Sequence, residues 1–363
     1  MSGSHDRLSP GFSLYCDLMR VGAALLVLFG HASHEKLSGG LFWQLGHAGH
    51  VAVLVFFVLS GFIISYVAHT REASLADYSA ARLARLYSVV IPAIIVTYVV
   101  DSIGIARDPT FYDMNRHAQP VWRALAAGLF VSQSWFADVA LFSNSSYWSL
   151  PYEFWYYVIF GAALFLKGAA RIAAIIIAAL IAGSNILLLF PIWLMGVYAY
   201  RRSRTPPSPK TALLLFALSA IGTGLAYAAR ETGVLKVYFS DYLPFAFSFA
   251  DYFIAAGVAL NLYAASGMDF AFLKPFKGPI RWTAGMSFSL YLFHLPLMYC
   301  VATFVPPDLP MAVRFAIMVV SSFALSALLS LFTESRKDAL KDGFLALFQN
   351  LSRRRGAWAS GKS

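Results

Sequence analysis

The sequence predicts an all-α fold, a polytopic bundle of about ten transmembrane helices. Of the 363 residues, 59% are hydrophobic and only 13% are charged, whereas an ordinary soluble domain carries about 25% charged residues. Apolar stretches recur from residue 14 to residue 332 with short polar breaks between them. A chain with this composition and pattern is expected to cross a lipid bilayer several times.

Each predicted span is an apolar stretch, because about 20 apolar residues cross the hydrocarbon core of a bilayer as a helix. The sixth stretch is short, and Asn185 and Pro191 indicate a turn or kink beside it. The ten predicted spans are 14–35, 47–68, 86–105, 150–167, 172–188, 189–200, 211–229, 244–264, 282–304 and 310–332. Together they form a membrane domain at 14–333, between a cytoplasmic N-terminal tail at 1–13 and a basic cytoplasmic tail at 334–363.

Clusters of lysine and arginine between the spans predict that both termini are cytoplasmic. Cytoplasmic loops carry an excess of these residues, and all clusters fall on one side when the spans alternate from a cytoplasmic amino terminus. The clusters lie within 71–85, 167–171, 201–204, 274–281 and 336–355. This topology requires 106–149 to begin and end outside, and its apolar part, 121–133, is interpreted as interfacial or re-entrant, with a full crossing left open.

The remaining composition excludes several classes of partner. The same basic clusters account for the formal net charge of +10, so we expect the bilayer and no nucleic acid as a partner. Two cysteines near opposite membrane faces, Cys16 and Cys300, make a disulfide framework or a thiolate zinc site improbable. Four histidines near the outer ends of the first two spans match no metal-ligand spacing, so we predict no metal site. They are His31, His34, His47 and His50.

Three ionisable residues of the first span are unusual for a bilayer. A charge there costs about 2.5–3.5 kcal/mol even on insertion scales, which makes such residues functional candidates. Asp17 and Arg20 are three residues apart, on one helical face where they can pair. His31 follows Arg20 by eleven residues, roughly 16 Å and three turns, so Arg20 and His31 face the same side of the helix.

Five features in order along the chain resemble one protein family. The first is the spacing of Arg20 and His31. The others are F-F-V-L-S-G-F at 56–62, R-L-A-R-L at 82–86, W-S-L-P-Y-E-F-W-Y at 148–156 and S-F-S-L-Y-L-F-H-L-P at 287–296. Together they resemble the acyltransferase-3 family of membrane O-acyltransferases, including its W-S-L-x-x-E-x-x-Y segment and its S-x-x-x-Y-L-x-H-x-P penultimate helix.

The resemblance has limits at both the middle and the end of the chain. Glu334 matches a terminal glutamate of the family, but Arg336 stands where a proline is usual. The middle spans, 172–264, show little beyond hydrophobicity. Within the second motif, Ser60 and Gly61 let another helix or a ligand approach the backbone closely.

The resemblance implies a membrane-bound enzyme of the bacterial inner membrane that acts on the cell envelope. Members of the family move an acyl group, often acetyl, from acyl-coenzyme A in the cytosol to a hydroxyl of a carbohydrate such as lipopolysaccharide or exopolysaccharide. The acceptor is extracytoplasmic or lipid-linked. We therefore expect acyl-coenzyme A (acetyl-CoA) as donor substrate, no permanently bound cofactor, no additional hydrolase-like domain, and polysaccharide-biosynthesis proteins as candidate partners.

Three residues are the candidates for catalysis. His31 is the predicted general base, because a neutral imidazole that titrates near working pH suits proton removal from a hydroxyl. Arg20 is expected to hold the pyrophosphate of the donor or to stabilise negative charge on the thioester oxygen. Glu153 is expected to orient the imidazole or bind the sugar. Their ordinary alternatives are a hydrogen-bonded core histidine, a helix-face ion pair and an interfacial carboxylate.

The remaining candidates bind substrates. Arg82 and Arg85 are predicted to hold the phosphates of coenzyme A, although positive charge in a cytoplasmic loop alone explains them. Four residues of the two later motifs are predicted to contact substrate. They are Trp148, Ser149, Tyr291 and His294. A secondary transporter or flippase-like carrier is the alternative function, since intramembrane Arg, His and Glu also mark transport paths.

Overall fold

The computed structural model describes residues 7–233 and 248–360, without the side chains of His47 and 352–360. Within these ranges the fold is an assembly of α-helices without a β-strand, as the sequence predicts. The helices of the first half are α1 (Pro10–Ala32), α2 (Glu35–Ser38), α3 (Gln44–Arg71), α4 (Leu75–Arg107), α5 (Pro120–Gly128), α6 (Ser149–Phe165) and α7 (Gly168–Ser203). Those of the second half are α8 (Pro209–Glu231), α9 (Ala250–Ala265), α10 (Lys277–Gly285), α11 (Ser287–Ala302), α12 (Met311–Ser330) and α13 (Lys337–Ser360).

Several of these helices have the length and composition of membrane spans. In the described part of the chain there are six, or seven if α10 and α11, which meet at 57°, count as one span. Each of the ten predicted segments overlaps a helix, although the first residues of 244–264 lie outside the described ranges. Helices α6 and α9 have only 17 and 16 residues. The chain is therefore a helical membrane protein, while the number ten and the orientation stay predictions.

Helix α7 contains two of the predicted segments because the chain reverses within it. Its 36 residues would extend about 54 Å as one straight helix, more than a bilayer is thick. Gly183 breaks it with φ 82° and ψ 177°, a conformation that glycine adopts readily. Ala174 before the break and Tyr200 after it both lie near the end of the bundle that holds Arg82. The turn thus comes slightly earlier than Asn185, where the sequence suggested it.

The segment between α4 and α6 turns back into the bundle. Helix α5 has nine residues, about 14 Å, too short to cross a hydrocarbon core of about 30 Å. Just beyond it, Phe130 is fully buried and stacks on Phe154 with ring centroids 4.4 Å apart. Trp155 donates its indole N–H to the Phe130 carbonyl at 2.9 Å. This part of 121–133 thus turns back into the bundle and is held by α6, while its position relative to the bilayer stays a prediction.

Helices α3 and α7 approach each other closely through glycines. A Cβ on Gly61 would overlap the carbonyl of Trp193, and one on Gly196 would overlap the carbonyl of Val58. Small residues permit such contact between membrane helices. Gly61 therefore serves helix packing, whereas its neighbour Ser60 lines a cavity described below.

The tail helix α13 packs along α4. Its Phe344 ring lies 6.3 Å from that of Tyr87, and Phe348 lines an apolar cavity with Tyr78. The first half of the predicted basic tail is thus part of the bundle. The side chains of its arginines at 353–355 lie outside the described residues, so their contact with an anionic leaflet stays a prediction.

Candidate active site

A pair of histidines joins helix α1 to helix α11. His31 lies in the last turn of α1 and His294 near the middle of α11, where these helices pack together. The Nδ1 of His31 is 2.8 Å from the Nε2 of His294, and the rings stack with centroids 5.0 Å apart. The structure thus brings together two predicted site residues that are 263 positions apart.

The hydrogen-bond network assigns the tautomers of both rings when they are neutral. The Nδ1 of His294 is 2.8 Å from the carbonyl oxygen of Leu290, which only accepts, so this nitrogen carries the hydrogen. The Nε2 of His294 is then an acceptor, and His31 donates to it from Nδ1. The Nε2 of His31 keeps its lone pair, which is the form that a general base requires.

Glu153 lies away from the histidine contact. It is in the second turn of α6, where it accepts hydrogen bonds from Ser60 at 2.7 Å and from Tyr157. The indole of Trp193 also donates to Ser60, at 3.2 Å. The structure brings His294, and not Glu153, to the Nδ1 of His31. Of the two roles predicted for Glu153, orientation of the imidazole has no support in this geometry.

An inner cavity of about 640 Å³ lies between α1, α3, α4, α6 and α11. Its polar lining includes Ser60 and Glu153, and Tyr291 lies between it and the histidines. The Tyr291 hydroxyl is 2.9 Å from the Ser149 hydroxyl, and its ring centroid is 6.4 Å from that of His294. The motifs of α6 and α11 therefore meet at this cavity through Ser149 and Tyr291, while contact with a substrate stays a prediction.

A basic cavity of about 1350 Å³ adjoins the inner cavity and shares Arg20 and Arg85 with it. Six cationic side chains line it, namely Arg20, Arg71, Arg82, Arg85, Lys337 and Lys341. Three acidic ones, Glu72, Glu334 and Asp338, line it too. The cavity therefore carries a positive excess suited to a polyanion.

The two arginines predicted to hold phosphates differ in their surroundings. Arg82 forms an ion pair with Glu72 and lies over the Tyr78 ring at 5.3 Å. Burial raises the pKa of Glu72, and the Arg82 charge opposes that rise. Arg85 lies over the Phe288 ring at 5.8 Å, and the charges of Glu153 and Glu334 act on it, but no close ion pair joins it to a carboxylate among the described residues. Arg85 is thus the better placed to receive an anion.

Arg20 forms an ion pair with a residue of its own helix, α1. Its guanidinium nitrogen is 3.8 Å from an oxygen of Asp17, so the two residues pair loosely. Arg20 nevertheless lines both the inner and the basic cavity. The shared face of Arg20 and His31 on α1 therefore runs from the basic cavity toward the histidine pair.

A second histidine contact lies near Trp148. His50 is 3.1 Å from Asp251, which also accepts from Arg230 at 2.9 Å, and the His50 ring is parallel to that of Trp148 at 6.3 Å. No sequence signal indicated this cluster, because Asp251 and Arg230 occur in the featureless middle spans. Within the described part of the chain, no group of three or more His, Cys, Asp or Glu side chains is arranged to hold a metal.

The comparison with protein families decides the identity. The family model described as "Acyltransferase domain" matches residues 13–331, and these residues contain every candidate catalytic and substrate-binding residue above. The chain belongs to the acyltransferase-3 family. Of the residues that line the basic cavity, Glu334, Lys337, Asp338 and Lys341 lie beyond the matched part.

Two curated relatives resemble part of this acyltransferase-3 chain. An "O-acetyl transferase" of Shigella phage Sf6 is 33% identical over 156 residues, which cover 41% of this chain and 45% of the relative. The "Acyltransferase MdmB" of Streptomyces mycarofaciens is 28% identical over 151 residues, 39% of this chain and 36% of the relative. The chain thus spans less than half of each relative. No solved structure matches it significantly.

Proposed function

We propose that the protein transfers an acyl group, acetyl in the simplest case, from acyl-coenzyme A to a hydroxyl of an extracytoplasmic or lipid-linked carbohydrate. The observation that supports this most is the histidine pair, in which His294 leaves the Nε2 of His31 free to take a proton. The proposal includes ten spans, cytoplasmic termini and a place in the bacterial inner membrane. Cell-envelope polysaccharides, including lipopolysaccharide and exopolysaccharide, are the proposed acceptors.

The donor enters from the basic cavity. Coenzyme A carries several phosphate charges, and guanidinium groups bind phosphates through two parallel hydrogen bonds. Arg85 and Arg20 line both cavities, so phosphates held there let the pantetheine arm extend into the inner cavity. The thioester then approaches Tyr291 and the histidine pair.

The transfer is an acyl substitution with His31 as proton carrier. His31 Nε2 takes the proton from the acceptor hydroxyl while that oxygen bonds to the thioester carbonyl carbon. The tetrahedral intermediate expels the sulfur of coenzyme A, and the imidazolium of His31 returns the proton to it. The hydroxyls of Ser149 and Tyr291, which lie 2.9 Å apart at the inner cavity, donate to the transient oxyanion.

Replacement of the base tests this function. We expect His31→Ala to lower acceptor-dependent release of coenzyme A by about 10²–10⁴-fold, the usual contribution of general base catalysis. The assay uses the purified protein, acetyl-CoA and surface polysaccharide from a strain that lacks the gene. The matched control is His34→Ala, an exposed histidine three residues away, which should retain activity. Equal turnover by His31→Ala would remove His31 as base.

A carrier of polar or lipid-linked solutes is the rival function. The 57° bend between α10 and α11 and the reversal within α7 resemble the interrupted helices of transporters. Reconstituted vesicles separate the two functions. Solute movement without thioester cleavage supports the carrier, and coenzyme A release with an acylated carbohydrate product supports the enzyme.

A further inference from the structure

A third cavity lies at the opposite end of the bundle from the basic cavity, and no step described above uses it. It spans about 610 Å³, part of it open to solvent, and is lined by the segment that follows α5 and the turn before α6. We call it the amide cavity and define it by Gln133, Asp138, Asn144 and Trp148. Asn144 donates to the carbonyl oxygen of Leu292 at 2.8 Å, so the amide cavity lies beside the part of α11 that holds the histidine pair.

Two buried amide oxygens in this cavity have no hydrogen-bond partner. Gln133 is 2% exposed and Asn144 is 0% exposed, and the Oε1 of one and the Oδ1 of the other are unpartnered among the described residues. A buried polar atom left in this state costs about 1–3 kcal/mol. Such atoms therefore indicate that another molecule supplies hydrogen-bond donors.

The orientation of both amides follows from their neighbours. Gln133 donates from Nε2 to Asp138 at 2.8 Å, and Asn144 donates from Nδ2 to the Leu292 carbonyl and to Thr97 at 3.3 Å. The carboxylate and the carbonyl only accept, so each amide must direct its NH₂ group toward them. The two amide oxygens are thus held as acceptors.

The other lining groups suit a neutral polyhydroxylated ligand. Every sugar hydroxyl can donate one hydrogen bond and accept others, so a sugar can satisfy both amide oxygens and also accept from Arg116 at the cavity wall. Trp148 adds an aromatic surface beside them, and Asp138 is exposed, so the cavity reaches the surface.

We propose that the amide cavity binds one sugar residue of the carbohydrate acceptor, with hydroxyl hydrogens donated to Gln133 and Asn144. This inference rests on the proposed function for the nature of the acceptor. The adjoining residue Ser149 contacts Tyr291, and Tyr291 adjoins His294. This series of contacts leads from Trp148 to the histidine pair, so a sugar bound at Trp148 lies on the side of the pair opposite the donor.

Substitutions in the cavity separate acceptor binding from donor chemistry. We expect Gln133→Leu to raise the acceptor KM about tenfold, because one or two hydrogen bonds to the sugar are lost. The KM for acetyl-CoA should stay unchanged. Asp138→Asn, at an exposed position that leaves the fold intact, should raise the acceptor KM less. The matched control is Asn115→Leu, an exposed amide of the same segment outside the cavity. The acceptors are oligosaccharide fragments of the surface polysaccharide from a strain lacking the gene.

A binding measurement keeps this inference distinct from the proposed function. Saturation-transfer NMR with the same oligosaccharides and the full-length protein detects binding without turnover. Binding by the wild type that weakens in Gln133→Leu and Asp138→Asn supports the sugar site even if no acetyl group is transferred. Absence of binding, or binding unaffected by both substitutions, overturns the sugar site even if the enzyme is active.

Discussion

The two ends of the helix bundle differ in the kind of polar group that they enclose. The basic end, defined by Arg82, Arg85 and Lys341, concentrates fixed cationic charge around a large cavity. The histidine end, defined by His31, His294 and Asn144, offers neutral rings and amide oxygens. Fixed cations select a polyanion, whereas neutral acceptors select hydroxyl groups. One helix bundle can therefore receive two chemically unlike substrates from opposite ends, with the inner cavity between them.

The largest expected effect concerns the orientation of the base at the histidine end. His294→Leu removes the acceptor for His31 Nδ1, so the imidazole loses its fixed tautomer and kcat should fall about 10²-fold. The KM for acetyl-CoA, set at the basic end, should stay the same. Steady-state kinetics of the purified variant measure both quantities.

A conservative variant shows whether His294 acts by positioning His31. The amide oxygen of His294→Gln can still accept from Nδ1, so this variant should recover part of kcat. If His294→Leu keeps full activity, or if the Gln and Leu variants are equally impaired, the tautomer assignment has no catalytic meaning.

The next effect concerns donor binding by the arginines of the basic end. Arg85→Ala should raise the KM for acetyl-CoA about 10–100-fold, since hydrogen bonds to charged groups contribute about 1.5–3 kcal/mol. Arg82→Ala should raise it less, because Glu72 already pairs with Arg82. Arg201→Ala, an exposed arginine outside the cavity, serves as control. Equal effects of Arg85→Ala and Arg82→Ala would contradict the distinction between them.

A smaller effect concerns the packing of helix α3, which differs between the two ends of the bundle. Gly61→Ala should destabilise the protein by about 1–3 kcal/mol, because its Cβ would overlap the backbone of α7. Gly49→Ala lies on the same helix near the histidine end, where a Cβ meets no atom within 4 Å. It should leave the thermal unfolding midpoint in detergent unchanged or slightly higher. A similar loss in both variants would show that overlap with the α7 backbone is not the cause, since alanine favours a helix more than glycine does.

The smallest effect is a pH dependence at the histidine end. The Nε2 of His117 is 2.9 Å from Asp101 and its Nδ1 is 3.0 Å from the Asp113 carbonyl. The hydrogen bond to Asp101 raises the pKa of His117 above its ordinary value. Stability from this contact is complete below the unfolded pKa of about 6.5 and is lost as the pH rises through the higher folded pKa.

Thermal unfolding between about pH 6 and about pH 9 measures this loss. The midpoint of the wild type should fall across this range more than that of His117→Gln, in which the titrating ring is absent. Parallel curves for the two proteins would show that the His117 contact does not govern the stability of this segment.

Part of the site could be predicted from residue spacing. The interval between Arg20 and His31 predicted a common face, and the motifs that contain Ser149 and Tyr291 meet at the inner cavity. The partner of His31 was not predicted, because His294 is 263 residues away. The contact of Glu153 with Ser60 was missed for the same reason. Membrane helices are apolar on nearly all sides, so hydrophobic periodicity does not mark the face that each turns toward its neighbours.

Composition and local pattern determined that this chain is a helical membrane protein, because long apolar stretches without charge have few other stable environments. They also singled out the rare polar residues, since each is costly in lipid. Only the packing of helices that are distant in sequence decided which of those residues meet: His31 with His294, Ser60 with Glu153, and Asn144 with the Leu292 carbonyl of α11. The reason is physical. Hydrogen-bond partners depend on helix rotation and on contacts remote in sequence, and neither is encoded in any single stretch of the chain.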